Sequence, residues 1–216
     1  MSNPIFWSNV GIDIQTALAA AITITNITKA ATGVCTYSGA TNPTTGDYIV
    51  LAANGMSEVN DRIFRVANVL TGPKTFELEG EDTTAYSTFV SGTLQVITFG
   101  ASMTTAQTIN VSGGEAEMAD VTTIHDLVRK RVPTVVSPLS FAMDSLFDLT
   151  DPAFIEMNKA YKAKSKRAVR LRFGTGAKML LTGYCSASGV PTGQAQGVVQ
   201  MKLGIEAQNM PTVYSS

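Results

Sequence analysis

The chain has 216 residues, 44% hydrophobic and 15% charged, with a formal net charge of −1. This is enough apolar content for a packed core and too little charge for a disordered chain, and the near-neutral balance argues against a general nucleic-acid or membrane-surface binder. No apolar run approaches the roughly 20 residues of a membrane span, the start lacks the basic and apolar regions of a signal peptide, and Cys35 and Cys185 are too few for a disulfide framework, so a soluble protein of a reducing compartment is expected. Thr, Ser, Val and Gly are abundant, and short alternating apolar segments recur between turn residues, the pattern of many short antiparallel strands. Changes of rhythm near residues 22–30 and 92–99 mark off a segment with predicted strands at 33–37, 46–51, 62–69, 75–78 and 88–94. Between residues 23 and 94 there are four basic and seven acidic residues, against twelve and nine from Gly100 onward. We therefore expect a small all-β barrel module, residues 23–94, inserted into a larger domain of residues 1–22 and 95–216. Residues 100–138 show no regular pattern, and a connection of that length is usually functional or ordered by a partner.

The second half is more regular. Residues 141–149 alternate from Phe141 to Leu149. A helix is predicted at 151–165, with Asp151 as N-cap and Pro152 at the first helical position. Its apolar stripe is Ala153, Phe154, Met157, Ala160 and Tyr161. Residues 168–173 and 179–184 form a predicted hairpin about Gly174-Thr175-Gly176, and residues 199–205 form a final alternating strand. The expected class is mainly β, an antiparallel sandwich or barrel with one packed helix.

Candidate chemistry is sparse. His125, the single histidine, stands in a Thr-rich segment without a nucleophile motif, so surface placement is expected and the protein is not read as an enzyme. Cys35, Cys185 and His125 are too dispersed for zinc. Glu77, Glu79, Glu81 and Asp82 lack the Gly and Asn/Asp pattern of a calcium loop and fit the solvated edge of a strand. Gly174-Thr175-Gly176-Ala177-Lys178 lacks the spacing of a phosphate loop. No metal or cofactor is expected. The basic run Lys159, Lys162, Lys164, Lys166, Arg167, Arg170 and Arg172 has no outward aromatic residues interleaved for nucleic-acid stacking. It fits a solvated face or, with Ile155 framed by Lys159, Lys162 and Lys166, a subunit contact.

The order of these parts carries a resemblance. Val135-Val136-Ser137-Pro138-Leu139-Ser140-Phe141-Ala142-Met143-Asp144 is followed by Asp151-Pro152-Ala153-Phe154-Ile155-Glu156-Met157, then by the strand at 169–173 and its Gly-containing turn. Leu180-Leu181-Thr182-Gly183-Tyr184 and the last strand complete the set. Over residues 122–208 this resembles the tail tube proteins of long-tailed bacteriophages. The inserted segment, with Ile24-Thr25-Asn26-Ile27, Asn60-Asp61-Arg62-Ile63-Phe64-Arg65 and Thr75-Phe76-Glu77-Leu78, is similar to a small β-barrel module of phage structural proteins. That module is named after the first catalytic-cysteine half-domain (FCCH) of ubiquitin-activating enzymes. The likeness is one of fold, and Cys35 lies inside an early strand, so no thioester chemistry is implied.

The tail tube resemblance implies a virion protein, assembled in the bacterial cytoplasm, that self-assembles into hexameric rings. The rings stack into a hollow tube through which DNA passes, and tip, terminator and tape-measure proteins are the implied partners. Family members use loops and arms between rings, which makes Arg129 and Arg131 of the irregular segment candidate subunit contacts. Ile5, Phe6 and Trp7 of the N-terminal arm join them, alongside Ile155, Lys159 and Lys162. Family lumens are usually acidic, whereas the region from Gly100 is net basic. Outward lysines with Asp144 and Asp148 facing the lumen reconcile the two. Other expectations for the same sequence are a tail terminator, a head decoration protein or a surface-binding β module, none of which requires stacked rings. A secretion-system tube protein is a further relative, though such proteins usually lack an inserted barrel.

Overall fold

A computed structural model describes residues 10–215 and shows a mainly β protein with one α-helix. β1 (Gly11–Leu18) is absent from the strands expected above. Its apolar alternation is only Ile12 and Ile14, and the intervening Asp13 and Gln15 are themselves buried, which the sequence pattern does not display. Next come β2 (Ile22–Ile27), β3 (Val34–Ser38), β4 (Tyr48–Asn54), β5 (Ile63–Leu70), β6 (Thr75–Leu78) and the long β7 (Ser91–Met103). They pair in the order β2-β3-β6-β5-β4-β7, and β7 meets β2 again through Ile22 and Leu94, closing a six-strand barrel. Closure removes open edges from this unit. Phe64 and Phe76 fill it with Ile49, Leu51 and Leu78, all almost wholly buried, each aromatic ring contributing roughly 2–3 kcal/mol by burial. Gly55 turns the chain after β4 at φ +86, where a Cβ would lie 2.4 Å from the Thr88 carbonyl oxygen, so only glycine fits.

The acidic alternation of Glu77, Glu79 and Glu81 is not a solvated edge. Arg62 and Arg65, two neighbouring arginines of the β5 region, meet it. Arg62 donates to both Glu81 carboxylate oxygens, at 2.6 and 3.1 Å, with little solvent access to either side chain. Tyr86 also donates to Glu81, Arg65 pairs with Glu79, and Asn68 donates to Glu77 at 2.7 Å. Only Asp82 keeps to its own turn, accepting from the Thr84 N–H at 2.9 Å.

β7 does not stop at the barrel. Beyond Val96 it pairs with β1, from Leu18↔Ile97 to Ile12↔Met103. The sheet then runs β1-β12-β13-β15-β11-β8, built from β8 (Ala106–Ser112), β11 (Ser140–Leu146), β12 (Lys166–Arg172), β13 (Lys178–Ser186) and β15 (Gln200–Ala207). Short β14 (Pro191–Thr192) pairs with β15, and β16 (Thr212–Tyr214) with β13. The remaining strands, β9 (Ala116–Asp120) and β10 (Arg131–Val136), form a separate two-stranded ribbon. The segment 100–138 is thus strand rather than irregular connection. It escapes the sequence pattern because its strands bury almost no apolar face.

One core joins both halves of the body sheet with the helix: Ile12 and Ile14, Met143, Leu181, Met201, Leu203 and the buried side of α1 (Pro152–Ala163). Asp151 caps that helix, its Oδ1 accepting from the Ala153 and Phe154 N–H groups at 2.9 and 3.1 Å. Lys164, left-handed at φ 50, ends it. Ala153, Phe154, Met157 and Ala160 are buried, but Tyr161 is 47% exposed. It shares their azimuth in the last turn, and periodicity reports azimuth rather than how far the covering sheet reaches. β11 is also shorter than expected: Phe147 donates its N–H to Val199 O, Asp148 opens a turn, and Phe147 and Leu149 stay exposed. The glycine turn between β12 and β13 closes through Phe173 N–H to Ala177 O, a hairpin between two strands.

Barrel and body meet in a polar seam that corrects the expectation for the basic run. Asp13, 2% exposed, accepts from Arg170 Nε at 2.9 Å, Arg172 Nε at 2.6 Å and Ser102 Oγ at 2.6 Å. Burial alone would raise its pKa, but the hydrogen bonds from Arg172, Ser102 and Arg170 outweigh that and hold the carboxyl below its ordinary value. Arg170 lies over the rings of Phe99 and Tyr48, at 4.6 and 5.4 Å from their centroids. Lys166 reaches the barrel at Asp61, 2.7 Å away. Tyr214 of β16 accepts the Arg65 N–H at 2.7 Å. Lys166, Arg170 and Arg172 therefore have partners within the chain, although Arg172 stays half exposed.

Candidate functional site

Among the described residues no group of three or more His, Cys, Asp or Glu is placed to hold a metal ion. Cys35 and Cys185 are buried free thiols. Burial pushes both upward in pKa, Cys185 to about 11 despite the opposing charge of Arg167. His125 is exposed in the loop between β9 and β10. A cleft of about 170 Å³ at the barrel–body seam is lined by Leu18, Val50, Ala168 and Thr182, with the Asp61–Lys166 pair beside them. These features offer packing and contact, not a nucleophile activated by a base.

The contact surfaces are better developed. In the β9–β10 ribbon Arg131 lies opposite Asp120, Val132 opposite Ala119 and Pro133 opposite Met118, and every strand residue is exposed. The connecting loop settles its own charges. Asp120 accepts from Thr122 N–H at 2.9 Å and Arg129 Nε at 2.6 Å, while Asp126 accepts from Thr123 N–H at 3.0 Å and pairs with Lys130. Prominent on the exposed loop are apolar side chains: Ile124 is 96% exposed and Leu127 fully so, with Val128 beside them. Arg129 is thus tied into its own loop, while Arg131 stands exposed at the start of β10. The tip residues keep the i, i+3, i+4 spacing of a helix face but lie in a loop, so periodicity does not report their place. Three large apolar side chains within five residues of an otherwise polar loop are the signal that was available.

The helix presents a second surface. Ile155 is 38% exposed on the side away from the stripe. Lys159 pairs with Glu156 at 2.6 Å and Lys162 is exposed. The two acids expected to face a lumen part company. Asp144, on the non-core face of β11, accepts from Thr108 Oγ at 2.8 Å and lies opposite Lys202. Asp148 lies in the turn after β11, accepting from Thr150 N–H at 2.8 Å and Oγ at 2.7 Å. Both of these hydrogen bonds lower its pKa. Ile5, Phe6 and Trp7 lie outside the described residues.

The developed features of this β-rich subunit, among the described residues, are contact surfaces: an exposed ribbon with an apolar tip and an exposed apolar position on the helix. The chain matches the family model for phage tail tube protein (TTP) over residues 54–216, and it belongs to that family. The match begins at the last residue of β4, so it takes in the later part of the barrel as well as the body. This is a structural family of the virion tail, not an enzyme family. Among curated proteins none matches the chain.

Proposed function

We propose that copies of this chain close into rings, hexameric as in the family's expected architecture, which stack into the hollow tail tube that conducts DNA. The observation that carries this reading is the β9–β10 ribbon. It is a hydrogen-bonded arm whose tip exposes Ile124, Leu127 and Val128 although its charges are already paired within the loop. An arm of this composition buries its apolar tip on another molecule. Arg131 flanks that contact, and Ile155 with Lys159 and Lys162 forms a lesser one on the helix. Asp144 faces the conduit, with Asp148 at its margin, so that passing phosphates meet carboxylates. The barrel, residues 23–94, is the inserted module and is displayed on the outer wall. Tip, terminator and tape-measure proteins bound the tube, which assembles in the host cytoplasm.

Negative-stain electron microscopy of the purified protein across a concentration series tests the reading. Rings or hollow tubes are expected. A particle that stays monomeric at every concentration, and on addition of a tail-tip extract, overturns the tube and leaves a decoration or terminator role.

A further inference from the structure

Two exposed surfaces of this chain carry opposite charge in matching order. In the β9–β10 ribbon Arg131 lies opposite Asp120 and Pro133 opposite Met118, which sets these four on one face. The other face carries Glu117, Ala119 and Val132, and Glu115, one pleat further from the tip, continues it. Asp120 and Asp126 are met by Arg129 and Lys130, whereas Glu115 and Glu117 are exposed and form no ion pair among the described residues. This face is therefore acidic at its base and apolar further out, and it ends in the apolar tip. The exposed side of α1 repeats that order. Ile155, Lys159 and Lys162 follow at i, i+4 and i+7, one stripe along the helix. Lys162 forms no ion pair among the described residues, and Lys159 has Glu156 on the surface of the same helix, a weak kind of pair. At the helix start the stripe runs into apolar surface. A Cβ on Gly189 would lie 3.0 Å from Phe154 Cζ and 3.7 Å from Leu149 Cδ2, so the Gly189 turn sits on the first turn of α1, where Leu149 and Val190 are exposed.

We propose that the acidic face of the ribbon lies along this helix stripe on a second copy of the chain. Glu117 and Glu115 meet Lys159 and Lys162, Ala119 and Val132 cover Ile155, and the tip reaches Leu149 and Val190. The proposal rests on the reading of the ribbon as an intersubunit arm and names its seat. The spacing agrees along the whole contact. Glu117 stands about 7 Å from Ala119 along the strand, and Lys159 about 6 Å from Ile155 along the helix. Beyond Ala119 the ribbon runs on into its apolar tip, as the helix stripe runs on into Leu149 and Val190. Charge selects the face as well as the partner. Two carboxylates meet two ammonium groups, whereas the opposite ribbon face would bring Arg131 against the same lysines. Apolar cover at the centre with charge pairs to one side is the arrangement of a specific protein contact.

The test mixes two full-length variants, Ala119→Cys and Ile155→Cys, one of them isotopically labelled, with the buried Cys35 and Cys185 left in place. Both new cysteines are at exposed positions and leave every charge of the contact intact. A short bifunctional thiol reagent is expected to join labelled to unlabelled chain, with the linked peptide between positions 119 and 155 found by mass spectrometry. Met118→Cys, on the other ribbon face, is expected to link to Ile155→Cys at least about fivefold less. No link from position 119, or equal linking from position 118, overturns the seat. Charge reversal checks the same contact in the linkable chains. Glu115→Lys with Glu117→Lys in the ribbon partner, or Lys159→Glu with Lys162→Glu in the helix partner, is expected to cut the linked yield at least about fivefold, and reversing both sides together to restore it. A doubly reversed mixture as poor as either single reversal overturns the proposal, since damage to folding would not be rescued by a second damage. Microscopy of the unmodified chain keeps this outcome apart from that of the tube. Tubes without the link overturn the seat alone, whereas the link without rings or tubes overturns the tube and leaves the seat between two copies.

Discussion

The barrel and the β9–β10 ribbon are both made of short antiparallel strands, and they finish in opposite ways. In the barrel every strand has two neighbours, the core side chains are covered, and even Glu79 and Glu81 after β6 are met by arginines of the same unit. The ribbon has two strands, no covered residue and an apolar tip. An isolated two-stranded ribbon is marginal in water. The barrel is therefore complete within one chain, whereas the ribbon has no covered face among the described residues. A residue of the first kind governs folding of the subunit. On the proposed reading, one of the second governs association and leaves folding almost untouched.

Substitutions can break that contrast, beginning where the effect is greatest. Phe64→Ala empties the centre of the barrel and is expected to cost about 3–5 kcal/mol, read as a lower midpoint in denaturant melts. Asp13→Ala strands Arg170 and Arg172 at the seam and is expected to cost about 2–4 kcal/mol, the lower end reflecting the half-exposed Arg172. The same carboxylate sets a pH dependence. Its folded pKa lies below the ordinary value of 3.8, so its contribution is complete above that value and is lost as pH falls through the folded one. Thermal melts from pH 6 to pH 2 should therefore fall less steeply for Asp13→Asn than for the unmodified chain; parallel curves would remove Asp13 from the account. Asp151→Ala takes away the helix cap and the acceptor for the Thr104 N–H, at 3.1 Å, and is expected to cost about 1–3 kcal/mol in the same melts. The double variant Leu127→Ser, Val128→Ser is expected to move subunit stability by less than about 0.5 kcal/mol while abolishing rings and tubes in the microscope. A large drop in its melting temperature would show the tip to be part of the subunit core and end the contrast.

The legible parts of the fold are those where one face is apolar and the other wet. The predicted strand at residues 75–78 coincides with β6. The helix was legible from Asp151-Pro152 and its stripe, and the β12–β13 hairpin from Gly174-Thr175-Gly176. Strands escape where that contrast disappears. In β1 both faces are covered because distant arginines neutralise Asp13, and in the ribbon neither face is covered. Long-range charge pairing was equally hidden. Lys166, Arg170 and Arg172 read as a solvated run in one dimension, yet their partners Asp61 and Asp13 lie more than 100 residues away. Of the candidate contacts, Ile155 was legible as an apolar residue opposite the stripe. The ribbon tip was not, since only the placement of Arg129 and Lys130 on Asp120 and Asp126 isolates its three apolar side chains.

One strand carries a mechanical consequence. Val96 is the last residue of β7 paired with the barrel's β4, and Ile97, the next in sequence, already pairs with β1 of the body. The return path is as tight, for Ala19 donates its N–H to Val96 O directly after β1. The two units therefore have no joint. Torque applied to one passes into the other through a continuous ladder rather than dissipating in a linker, so the barrel moves with the body as a stiff lever. Anyone exchanging the barrel for a different cargo must cut a strand instead of a loop, and the graft must supply its own hydrogen-bonded approach to Ile97.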